Sequence, residues 1–175
     1  MSASSSGGAR VVWVLGSDSD LPCIEPGVAL LGELGISTDV RILSAHRTPH
    51  HAAELAQDAR ANGVSVLIGV AGGAAHLAGV LAAHTTLPVI GVPVPTAMAG
   101  GLDSLLATVQ MPSGIPVATV AANKAGGPNA ALLAARMLAL SDDVLAQQLR
   151  DRRAAMTEAV LAKDQAVRAR FAPDR

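Results

Sequence analysis

Three short stretches carry the side chains able to do chemistry: "GSDSD" (residues 16–20), "SAHRTPHH" (44–51) and "AGGAAH" (71–76). In the first, Ser17 and Ser19 can donate to phosphate or carboxylate oxygens, helped by backbone N–H groups at a helix start. Asp20 would repel a phosphate but can accept from ribose hydroxyls. The same pattern also reads as an ordinary Ser/Asp helix cap. In the second, Arg47 is suited to grip a phosphate with two donors, and His46 can move protons near neutral pH. His50 is spaced four residues from His46, as in a metal pair on one helix face. Pro49, however, is a good first helical residue, so His46 lies outside the helix and the pairing fails. His50 and His51 are then solvated first-turn residues. In the third, Gly72 and Gly73 let backbone approach a ligand closely, and His76 stands near a helix start. It can face a ligand or be satisfied by local carbonyls. His84 lies roughly 12 Å further along at helical rise, too far to share a metal with His76. Lys124 is a lone charge in a Gly-rich loop, open to a ligand or to solvent.

Those stretches need elements to position them. "RVVWVLG" reads as a buried strand, with a helix expected through "VALLGELG" to Gly35; Pro26 removes a helix donor and predicts a late start or a kink. "STDVRIL" alternates as a second strand. Thr48 is the expected N-cap of the next helix and Gly63 its stop. "VSVLIGV", "LPVIGVPV" and "IPVATVA" read as strands three to five. "AGGAAHLAGVLAAH" turns into a helix, "DSLLATVQ" is a shorter one, and "PNAALLAARMLAL" is started by Pro128. Residues 142–170 read as a long amphipathic helix. Alternating strands and helices imply a parallel sheet covered on both faces. In such sheets the ligand sits beyond the carboxyl ends of the strands, near a switch in strand order. All three chemical stretches fall at such ends.

Bulk properties narrow the classes. The 175 residues suit one domain over 10–175, preceded by a small polar tail over 1–9. Thirteen Lys+Arg against fourteen Asp+Glu give a net charge of −1, which offers no basic surface for nucleic acid or an acidic membrane. One Trp, one Phe and no Tyr leave little to stack on bases or a flavin. The single Cys23 excludes an internal disulfide and a Cys-based zinc site, and fits a reducing cytoplasm. From Ala61 to Leu102 there is no Asp, Glu, Lys or Arg. Pro and Gly interrupt that stretch before it reaches the ~20 apolar residues of a spanning helix. The reading is a soluble domain whose apolar surface is covered by copies of itself.

Taken in order and spacing, "GSDSD", "SAHRTP", "AGGAAHLAG", "PVIGVPV", "GLDSLLATVQMPSGIPVATVA" and "KAGGPNAALLAARMLA" resemble the class I N5-carboxyaminoimidazole ribonucleotide mutases of purine biosynthesis, over roughly residues 10 to 160. The resemblance implies a flavodoxin-like three-layer αβα sandwich with a five-stranded parallel sheet. It further implies a cytoplasmic homo-octamer and a reaction without metal, ATP or organic cofactor on a small ribonucleotide. The carboxylate on the exocyclic nitrogen moves to the neighbouring ring carbon, giving 4-carboxy-5-aminoimidazole ribonucleotide. By resemblance, His46 is the general acid/base, and Ser17, Asp20 and Arg47 bind substrate. Ser19 and Ser44 add donors, while Gly72, Gly73 and His76 hold carbon dioxide for recapture. Class I members carry Arg after the catalytic His, as Arg47 does here. Class II carboxylases, which take free carbon dioxide and aminoimidazole ribonucleotide, typically carry Lys. The chain departs from the family pattern at Ala78, where "AHLPG" is usual, and at Pro26–Gly27 inside the first helix. A nucleotide-binding module without chemistry and a purely structural oligomer are the rival readings of the same fold.

Overall fold

In the computed structural model, which describes residues 11–172, five strands form one sheet: β1 (Val11–Leu15), β2 (Thr38–Ile42), β3 (Val66–Gly72), β4 (Val89–Val94) and β5 (Ala118–Thr119). The tail expected over residues 1–9 lies outside the described residues. All pairings are parallel and the order is β2-β1-β3-β4-β5. This is the flavodoxin-like order, with its switch between β1 and β3. β1, β3 and β4 are apolar along nearly their whole length because helices cover both faces. Strand five, expected over seven residues, pairs with β4 only at Ile90–Ala118 and Gly91–Thr119.

Among the described residues, six helices complete the alternation: α1 (Leu21–Glu33), α2 (Pro49–Asp58), α3 (Leu77–Ala83), α4 (Leu102–Val109), α5 (Gly126–Leu138) and α6 (Asp143–Arg170). On one face, Val12, Val14, Leu67 and Val89 pack with Ala52 and Ala56 of α2 and Leu77, Ala78 and Leu81 of α3. Ala78 serves this face directly. A side-chain carbon placed on Gly69 of β3 would fall 2.8 Å from the Ala78 Cα, so α3 lies almost on the sheet.

Helix α1 runs the full length from Leu21, correcting the expectation of a late start. Pro22 sits in the first turn, and Pro26 lies inside the helix, where it forfeits one backbone bond. Gly27, one residue on, is explained by packing. A Cβ there would lie 2.6 Å from the Gly127 carbonyl oxygen and 2.9 Å from the Trp13 ring. The small residues let the α1 and α5 backbones approach beside Trp13, which is fully buried. Helix α5 starts at Gly126, two residues before Pro128. Helix α2 ends at Asp58, and Gly63, at φ +78°, closes the turn that follows. Thr48 precedes α2 but its side chain does not cap it. The Thr48 hydroxyl instead accepts the Ser44 N–H at 2.8 Å and donates to the Ser44 carbonyl at 3.2 Å, which ties off the loop before the helix.

The chain divides into two compact units at Ala135 and Arg136. The first is the α/β body. The second holds the end of α5, a 3-10 turn at Ala139–Ser141, and α6. Asp142 caps α6 by accepting the Leu145 N–H at 3.0 Å. Arg168 and Arg170 in its last turn complement the helix dipole. Among the described residues, no helix is long and apolar enough to cross a membrane.

Candidate active site

The loops after β1, β2, β3 and β4 surround a cleft of about 480 Å³ at the carboxyl ends of the strands. Ser17, Ser19, Asp20, Ser44, His46, Arg47 and Gly72 line it. Gly73 continues the turn from Gly72 at φ +64°, the left-handed region that glycine enters without steric cost. His76 joins through its ring: its Nδ1 lies 2.9 Å from Nε2 of His46, and the rings meet edge to face at 5.0 Å between centroids. The site residues read from the sequence therefore come together.

In the loop after β1, the cap reading of "GSDSD" is realised. Ser17 Oγ accepts the Ser19 N–H at 3.3 Å, and Asp20 Oδ2 accepts the Ser17 N–H at 3.2 Å, a reciprocal cap on a 3-10 turn at Asp18–Asp20. The same turn presents the hydroxyls of Ser17 and Ser19, 2.9 Å apart, to the cleft. Asp20 is buried. Loss of solvent pushes its carboxyl above the usual carboxylate value, opposed by bonds from the Ser17 N–H and from Ser19 and reinforced by the charge of Asp18.

In the loop after β2, Ser44 Oγ accepts the N–H groups of His46 and Arg47 at 3.3 and 3.2 Å. This turn sends the two side chains into the cleft from adjacent positions. An Arg47 Nη donates to the Gly16 carbonyl at 3.2 Å, joining the second loop to the first. The remaining guanidinium donors suit an anion. Both histidines stay accessible. In their contact one ring nitrogen must donate and the other accept.

His50 and His51 are exposed in the first turn of α2, away from this cleft, and Lys124 is exposed on the loop before α5. Among the described residues, no three His, Cys, Asp or Glu side chains converge as a metal site would need. Sequence reasoning missed the fourth wall, where Val94, Pro95 and Thr96 line the cleft after β4. It also missed Ser104, whose Oγ accepts the Gly73 N–H at 2.8 Å. The signal was available: the rule that pointed to the ends of the first three strands applies equally to "PTAMAGG" after the fourth.

A switch-point cleft with an arginine, two serine hydroxyls and paired histidines defines an α/β enzyme for a small anionic substrate. The chain belongs to the AIR carboxylase family, whose model matches residues 10–159. It is 53% identical over 150 residues to an N5-carboxyaminoimidazole ribonucleotide mutase of Brucella melitensis, covering 86% of this chain and 93% of that one. It is 50% identical over 153 residues to the Escherichia coli K12 protein of the same name, covering 87% and 90%. The crystal structure of Treponema denticola PurE superposes with a TM-score of 0.80 at 29% identity, covering 89% of this chain and 96% of that one.

Proposed function

We propose that this chain converts N5-carboxyaminoimidazole ribonucleotide to 4-carboxy-5-aminoimidazole ribonucleotide. The observation that carries the reading is His46, lining a strand-end cleft beside Arg47, Ser17 and Ser19, in a chain about half identical to proteins of that name. Arg47, Ser17 and Ser19 take the phosphate, with Ser44 as a further donor, and Asp20 accepts from the ribose hydroxyls. The carboxyl–nitrogen bond breaks with its electron pair left on nitrogen, and His46 delivers a proton there. Carbon dioxide stays against the Gly72–Gly73 turn and His76. The ring carbon then attacks it, a carbon–carbon bond forms, and His46 takes the proton that carbon loses. One proton is given and one recovered, so the balance closes without a cofactor. The contact of His46 Nε2 with His76 Nδ1 at 2.9 Å links the tautomer of one ring to that of the other.

Direct assay with both candidate substrates tests this. The expected result is efficient turnover of freshly prepared N-carboxylated ribonucleotide, with negligible product from aminoimidazole ribonucleotide at physiological bicarbonate. An equally efficient bicarbonate reaction would move the chain to the carboxylase class.

The reading extends to assembly. We infer a cytoplasmic homo-octamer in which residues 10–175 act as one domain and α6 packs on a neighbouring copy. Leu102, Leu106 and Val109 form an exposed apolar stripe on α4, and Met156, Val160 and Leu161 lie exposed on α6, surfaces that soluble monomers rarely keep. Light scattering should give a mass eight times that of the chain; a stable monomer at micromolar concentration contradicts it.

A further inference from the structure

Two adjacent residues of α4 outside the proposed chemistry reach two different walls of the cleft. Ser104 is fully buried, and its Oγ accepts the N–H of Gly73 at 2.8 Å, in the turn that leads to His76. Asp103 accepts the Thr96 hydroxyl at 2.6 Å, and Thr96 lines the cleft beyond β4. The Thr96 Oγ in turn accepts the N–H of Met98 at 3.3 Å, so one hydroxyl both lines the wall and closes its loop.

The wall itself is tightly folded. Ala99, Gly100 and Gly101 take φ of +46°, +67° and +95° in succession. A side chain on Gly101 would fall 2.9 Å from the Pro95 Cα. Below this turn, Thr108 is buried, donates to the Ser104 carbonyl at 2.8 Å, and sets its methyl against Gly91 of β4. The start of α4 is therefore fixed to the sheet from beneath while it grips both walls above. The Thr96 hydroxyl, with smaller contributions from Ser104, holds the Asp103 carboxyl below the usual carboxylate value. It is ionised at neutral pH, and hydrogen bonds to an ionised acceptor are the stronger kind.

We propose that Asp103 and Ser104 are positioning residues that keep the Gly72–Gly73 turn and the Thr96 wall closed around the carbon dioxide set free in the reaction. The inference rests on the mutase reading. Once the carboxyl–nitrogen bond has broken and nitrogen has been protonated, carbon dioxide has two fates. Retained, it forms the carbon–carbon bond and the ring carbon gives up its proton. Escaped, it leaves aminoimidazole ribonucleotide behind, and solvent carbon dioxide can enter in its place. The two walls decide between these fates, while the proton transfers themselves belong to His46.

The test uses the full chain as wild type, Ser104→Ala, Thr96→Val and Thr96→Ser. Unlabelled N-carboxylated ribonucleotide is turned over in 13C-bicarbonate, and the labelled fraction of the carboxylated product is read, with enzyme-free decarboxylation subtracted. Ser104→Ala and Thr96→Val should raise that fraction about tenfold, the scale of one partly buried hydrogen bond lost. Thr96→Ser keeps the hydroxyl and should return it near the wild-type level. Thr96 lies in a loop, so the Val and Ser pair stays informative if Ser104→Ala fails to fold. Folded variants that turn over more slowly with an unchanged labelled fraction would overturn the proposal and leave these residues a structural part only. A wild-type chain that makes no carboxylated product overturns the mutase reading instead.

Discussion

Two hollows of similar size differ in how they are built, and one of them has the construction of a site. The strand-end cleft encloses about 480 Å³. A groove between β2 and α2 encloses about 400 Å³ and collects more formal charge: Asp39, Arg41, Glu54 and Asp58, with His51 beside them. In that groove the ion pair is Arg41–Asp39 at 3.9 Å, with both side chains about half exposed. Such a pair contributes roughly 0–1 kcal/mol. In the cleft, backbone N–H groups are spent on orienting side chains. Ser44 turns His46 and Arg47 inward, Asp20 and Ser17 cap each other, and Arg47 is anchored on the Gly16 carbonyl. Titratable groups and volume do not distinguish the two places. Convergence of four strand ends, with polar groups held before a ligand arrives, does.

Three variants test that contrast. The largest effect belongs to His46→Asn, which should keep the fold and bind substrate while turnover falls at least ~10²–10⁴-fold, the usual share of general acid–base catalysis. Near-normal turnover in steady-state assay would remove His46 from the mechanism. Asp20→Asn is intermediate and splits two readouts. KM should rise roughly tenfold, as expected when a charged acceptor is lost. Stability should move the other way. Folding raises the Asp20 pKa above its ordinary 3.8, so the group favours folding when protonated. That contribution is full below the unfolded pKa and lost as pH rises through the folded one. Asn, which can still accept the Ser17 N–H, should raise Tm at neutral pH, and the gain should shrink toward pH 3.8. A variant whose gain grows in acid would reverse the assignment. The smallest effect is expected from the double change His51→Ala and Glu54→Gln in the β2–α2 groove. Turnover should stay within about twofold, as for ordinary surface substitutions; a larger loss would make the groove part of the catalytic apparatus.

The sequence was most readable where periodicity and the strand-end rule coincide. Five strands, the loops after the first three, and the separation of His46 from His50 and His51 all follow from local pattern. Contacts that join distant segments were out of reach. Ser104 reads as one more polar residue in "LDSLLATV" until the fold brings it under Gly73, thirty-one residues away. Gly27 looks like a weak helix position until α5 arrives against it. Thr48 has the residue type and place of a cap, yet Ser44 captures its hydroxyl first. The length of β5 depends on what β4 can pair with, which its own seven apolar-rich residues do not state.

The strand order also governs when the site comes into being. His46 follows β2 and His76 follows β3, and these strands flank β1 on opposite edges. A ribosome that has released only the first two strands and the loop behind them has exported Ser17, Asp20, His46 and Arg47, but the second histidine and the glycine turn have still to emerge. The Gly73 turn has no Ser104 beneath it until four strands and the start of α4 are out. Chains are made from the amino end at about 5–20 residues per second, and pairings between distant segments form slowly. The nascent chain therefore passes through a stretch of synthesis in which the residues proposed to take the phosphate have emerged and those proposed to retain the carbon dioxide have not.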